Sequence, residues 1–139
     1  MATLQQVIDD IQDATGALTG IRAAPDEPTD NAAAYPFVVA FAGTGRYELG
    51  SSEMRGLHSV IVQLHVSHTN LPTDVATAMA YAKAIPNAIF SAFITDQLNE
   101  TAQAIGDISY TFGSMKYGEV DTLGFQFTVE GIKTRDAIS

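Results

Sequence analysis

A chain of 139 residues, 46% hydrophobic and 17% charged, is long enough to enclose one core and predicts a single domain over 1–139. It has no cysteine, which excludes disulfides, a thiol nucleophile and a zinc-thiolate centre. Sixteen acids against seven scattered bases give a formal charge of −9, which excludes a clustered phosphate-binding face of Lys and Arg. The N-terminus, MATLQQVIDDIQD, has no cationic region followed by a long apolar run, and no stretch reaches the ~18 apolar residues of a membrane span. The expectation is a soluble protein made in a cytoplasm, with no membrane partner.

The first element is a helix over 3–19. Leu4, Val7, Ile8, Ile11, Ala14 and Leu18 recur at helical spacing, and Thr3 with Gln6 forms a capping-box pattern. Asp9, Asp10 and Asp13 lie off that stripe, as a solvated face would. A Pro- and Asp-rich connection, 22–36, follows. Phe37–Ala42 reads as a strand, Gly43-Thr44-Gly45 as a hairpin turn, and 43–56 as a polar loop with a short strand near Arg46–Leu49. The GTG triplet lacks the following helix and the Lys-Ser/Thr step of a phosphate-cradling loop. Arg46, Tyr47, Glu48, Glu53 and Arg55 show no core pattern, and a long polar loop on a small domain is a candidate contact arm between subunits.

Leu57–His68 alternates strictly. His58, Val60, Val62, Leu64, Val66 and His68 share one face, and Leu57, Ser59, Ile61, Gln63, His65 and Ser67 the other. His58 and His68 stand ~33 Å apart at ~3.3 Å per residue, and His65 points away from both, so no two can chelate one metal from this strand. There is no G-x-S-x-G elbow, and adjacent His58 and Ser59 point to opposite faces. The histidines read as strand-end and polar-face residues, with no catalytic residue, cofactor or metal implied and no enzymatic activity expected.

Asn70–Asp74 turns the chain into a second helix, with Val75, Met79, Ala82, Ile85, Ile89 and Phe93 in a stripe and a kink or break at Pro86. Two strands close the chain. Ile108, Tyr110 and Phe112 share a face of the first, and Leu123, Phe125, Phe127 and Val129 a face of the second. The remainder, 132–139, is polar and predicts a mobile tail. This order predicts an α+β fold: a mostly antiparallel sheet with two amphipathic helices packed on one face.

Two stretches carry a resemblance. GALTGIRAAPDEPTDNAAAYPFVVAFAGTG joins a helix end to a Tyr-Pro-Phe-Val strand through a Pro-rich link. HSVIVQLHVSHTNLPTDVATAMAYA runs a Val-x-Leu-His-Val strand through a Leu-Pro step into an Ala-rich helix. Together they resemble the tail terminator proteins of long-tailed phages, over almost the whole chain. The resemblance implies a structural role in the virion, assembled in the host cytoplasm. It implies a homo-oligomeric ring, typically a hexamer, at the head-proximal end of the tail tube. Such a ring ends tube growth and offers the head connector a docking surface, so the implied partners are the major tail tube protein and a head connector or neck protein. DNA would pass through the ring without specific binding. Six copies would carry about −54 charges, and a negative channel wall repels phosphate. Two alternatives stand beside it: another neck or tail-completion protein, and a small ligand-binding or enzymatic α+β domain using His58 or His65 as acid/base.

Overall fold

The structure, a computed structural model, describes residues 4–18, 21, 36–49, 53–66, 71–100, 104–117 and 120–137. Its elements are α1 (Leu4–Gly16), β1 (Phe37–Leu49), β2 (Glu53–Val66), α2 (Leu71–Met79), α3 (Ala84–Glu100), β3 (Ile108–Tyr117) and β4 (Val120–Ala137). The fold is α+β. The four strands form one antiparallel sheet in the order β1-β2-β4-β3, so the strand latest in sequence lies inside it.

Side-chain alternation decides which face of the sheet meets the helices. Val60, Val62, Leu64 and Val66 of β2 are buried on one face, with Val62 opposite Phe127 and Leu64 opposite Phe125 of β4. Val38 and Ala40 of β1 join the same layer. Val7, Ile8 and Ile11 of α1, Ala78 of α2, and Ile85 and Ile89 of α3 cover it. Each fully buried aliphatic or aromatic side chain contributes about 1.5–3 kcal/mol relative to exposure, so this layer holds the molecule together.

The expected second helix is interrupted. Pro86 cannot donate to the Ala82 carbonyl, and its ring would collide with that group in continuous α geometry. The bonds therefore tighten in the turn before it: Tyr81 N–H reaches Ala78 O at 3.0 Å and Ala82 N–H reaches Met79 O at 3.2 Å. The longer spacing resumes with Ile85 to Tyr81 at 3.2 Å and Asn87 to Lys83 at 2.9 Å. Pro86 thus sits in the first turn of α3, where its missing N–H costs little. The expectation of an amphipathic second helix holds only in part, because α3 is apolar on both sides. Ile85 and Ile89 face the core while Phe90 and Ile94 face outward.

The stripe of α1 contains a polar residue that the spacing alone did not single out. Gln12 is buried, and its side-chain amide donates to Val38 O (2.9 Å) and accepts from Ala40 N–H (2.6 Å). Successive residues of a strand turn their backbone groups to alternate sides, so these two belong to the edge of β1 turned away from β2. An amide side chain here occupies groups that an incoming strand would use.

Three strands are out of step at one level. Between Ala42↔Val60 and Gly45↔His58, β1 places Gly43 and Thr44 opposite Ser59 alone. Between Val60↔Val129 and His58↔Ile132, β4 places Glu130 and Gly131 opposite the same residue. Gly131 has φ 73°, the left-handed conformation glycine tolerates best. Ser59 Oγ ties the first bulge, accepting from Thr44 N–H (2.8 Å) and donating to Thr44 O (2.9 Å).

Two expectations change accordingly. Gly43-Thr44-Gly45 is a bulge inside a long strand and not a hairpin turn, because β1 and β2 stay paired out to Leu49↔Met54. The segment from 132 is not a mobile tail over its described length: β4 pairs with β2 as far as Glu53↔Ala137, and Ile132 and Thr134 are buried.

Candidate assembly surface

Beyond the level of Ser59, residues 45–49 of β1, 53–58 of β2 and 132–137 of β4 continue as a three-stranded arm. At ~3.3 Å per residue it projects roughly 15–20 Å. The five residues proposed as a contact loop lie here, on paired strands and not on a loop. Arg46, Tyr47 and Glu48 are on β1; Glu53 and Arg55 are on β2; Glu48 faces Arg55 in the register. Arg46 and Glu48 form an ion pair at 3.4 Å. Both are exposed, so the pair adds at most about 1 kcal/mol.

The arm is held by a buried histidine. His58 shares a hydrogen bond with Thr134 Oγ1 (3.2 Å), and Tyr47 meets its ring edge-on with centroids 5.0 Å apart. Gly56 lies beneath: a Cβ there would collide with His58 Nε2 and Thr134 Oγ1. Tyr47 and Leu49 remain 50% and 75% exposed. Tyr47 is paired with Gly56, so it shares the face of His58 and Val60, the side on which the helices lie.

A second apolar surface lies at the opposite edge. The helices pack on β1, β2 and β4, and none packs closely on β3 among the described residues. Ile108, Tyr110 and Phe112 stand on its helix-side face, paired with Val129, Phe127 and Phe125. Tyr110 meets Phe125 edge-on at 5.5 Å, and Phe112 lies 4.9 Å from the same ring. A cavity of about 370 Å³ separates α3 from the approach to β3, lined by Lys83, Pro86, Ile89, Phe90, Ile105 and Ile108 among others. Phe90, Ile94, Tyr110 and Phe112 are 55%, 64%, 64% and 38% exposed. Sequence reading assigned the strand aromatics to a face correctly, but not their exposure, because that depends on where the helices stop.

His65 is the remaining candidate. Instead of lying on a polar solvent face, it is fully buried, stacked on Phe37 with centroids 4.9 Å apart. Nε2 donates to Gln63 Oε1 (2.9 Å), which leaves Nδ1 to accept from the Thr122 hydroxyl (2.6 Å). Gln63 in turn donates to Gln126 Oε1 (2.8 Å). Burial lowers the His65 pKa to about 4 from 6.5. The unfolded ring takes up its proton near pH 6.5 while the folded one resists until about 4. Stability is therefore unaffected by this group above pH 6.5 and falls as the pH drops from 6.5 toward 4, by on the order of 2 kcal/mol. Thermal melts at pH 7 and pH 4.5 should show a larger drop for the wild type than for His65→Gln. Equal drops would place the proton uptake elsewhere.

His68 lies outside the described residues, so the strand-end reading rests there on sequence alone. Among the described residues, no three His, Asp or Glu side chains converge in a way that could hold a metal ion, and no helix is long and apolar enough to cross a membrane. No protein-family model matches the chain, and no curated protein matches it.

Proposed function

We propose that this protein is a tail terminator of a long-tailed phage: a ring-forming structural protein at the head-proximal end of the tail tube. The observation that carries the reading is a set of large apolar side chains left exposed, Phe90 and Ile94 on the outer side of α3 and Tyr110 and Phe112 on β3, with a cavity lined by Phe90 and Ile108 between the two elements. Large apolar side chains left exposed in this way mark an association surface. The sequence resemblance supplies the kind of assembly, a hexameric ring between the tube protein and the head connector. Of the two histidines named for the enzymatic alternative, His65 is enclosed and held neutral by burial and His58 is buried against Thr134, so neither ring is presented to a substrate in this conformation.

A ring closes on itself through heterologous contacts, whereas a tube of stacked rings has no inherent end. The cap must fit the last tube ring on one side and refuse tube protein on the other. Deleting the gene should give overlong tails of variable length, unattached to filled heads. Adding the purified protein should cap the tails and permit joining. Tails of normal length that fail to join would identify a neck completion protein instead, and normal infectious particles would overturn both structural readings.

A further inference from the structure

We propose that copies of this chain join head to tail along their sheet edges, with α3 and β3 of one copy receiving the outer half of β1 (residues 42–49) from the next. The inference deepens the ring reading above and rests on it for the closure of the assembly.

The sheet's own geometry favours this occupant. In the order β1-β2-β4-β3 every neighbour is antiparallel, so the two edge strands β1 and β3 run in opposite directions. Residues 37–42 of β1 and 108–113 of β3 stand at the same level of the sheet, so a second copy, rotated but not inverted, brings its outer β1 beside β3 as one more antiparallel neighbour when it is also displaced along the strands by about six residues, roughly 20 Å. The face is right as well. Tyr47 and Leu49 project on the helix side of the sheet, and so do Tyr110 and Phe112. Edge-to-edge placement at that displacement brings Tyr47 and Leu49 of one copy against Tyr110 and Phe112 of the other, each large side chain adding roughly 100 Å² or more.

The inner half of β1 is not offered. Gln12 occupies Val38 O and Ala40 N–H, which restricts pairing to the stretch beyond them.

The absence of cysteine allows a direct test. Leu49→Cys and Tyr110→Cys are introduced singly and together into the full chain, and each variant is treated with a short bismaleimide over a range of concentrations. Thermal melts first establish that all three fold. The double variant should give a ladder extending past the dimer, ending at one closed species. Each single variant should give no ladder and no dimer above the level of a cysteine placed at exposed Thr111. Efficient dimers from Tyr110→Cys alone would overturn the proposal in favour of like-edge contact, and so would a double variant that stays monomeric up to millimolar protein. A ladder from a protein whose loss leaves tail length unchanged would sink the terminator reading and leave this contact standing. Failure to cross-link in a protein that caps tails would do the reverse.

Discussion

Gly124→Ala should leave the protein largely unfolded. Gly124 sits near the start of β4, an inner strand of the sheet, paired with His65 of β2 on one side and Gly113 of β3 on the other. A Cβ built there would collide with the backbone carbonyl of Leu64, which has no side-chain torsion with which to move aside. Relief requires shifting β4 away from β2, and that pairing spans Glu53↔Ala137 to Val66↔Leu123 through the core. Overpacking by one methyl against a soft neighbour costs about 1–3 kcal/mol. Against backbone at the centre of a sheet the cost should exceed about 4 kcal/mol, a large share of the 5–15 kcal/mol that usually holds a domain folded. Urea unfolding followed by circular dichroism measures it, with Thr111→Ala on the exposed edge strand as a control within about 0.5 kcal/mol of wild type. A Gly124→Ala midpoint close to the control would mean that β2 and β4 are not as close as described.

The second large effect belongs to Phe127→Ala. Phe127 is fully buried, stacked beside Phe125 with centroids 5.5 Å apart and opposite Val62. Its truncation removes a large side chain from under the helices and should cost about 3–5 kcal/mol. For a chain of this size that lowers the melting temperature by roughly 10 °C or more. Phe112→Ala, on the same strand face but partly exposed, should cost far less stability and should instead weaken association. Reversed ranks in a paired melting experiment would show that β3, not β4, lies beneath the helix layer.

Residues whose environment repeats every second position were legible from sequence. The Val60-Val62-Leu64-Val66 face, its Phe125 and Phe127 partners and the apolar stripe of α1 all appear where the alternation and the helical spacing put them. Reading failed where the period slips. The bulge at Glu130–Gly131 moves the inward positions of β4 from odd numbers (Phe127, Val129) to even ones (Ile132, Thr134), so IKTRDAIS looks patternless although its first six residues are paired. The bulge at Gly43–Thr44 likewise disguised one long strand as a strand, a turn and a loop. Gln12 and His65 failed for another cause. A polar side chain is assigned to the surface unless its partners are known, and those of Gln12 lie 26 and 28 residues away. Of the candidate surface, Arg46, Tyr47, Glu48, Glu53 and Arg55 read as a loop because the bulge hides the strand they lie on, and the α3 side depends on which helix face the sheet leaves uncovered.

Strand order also bears on how the chain is made. β1 and β2 form a local hairpin, yet the other neighbour of β2 is β4, whose first residue follows Val66 by roughly fifty residues. At about 5–20 residues per second a ribosome needs several seconds to make that stretch. Until then the nascent hairpin presents Val60, Val62, Leu64 and Val66 beside an unpaired strand edge. Such an edge recruits other strands readily, and on a polysome the nearest are identical hairpins on neighbouring ribosomes. The yield of soluble protein should therefore depend on translation speed and on chaperones that shield apolar strands during synthesis.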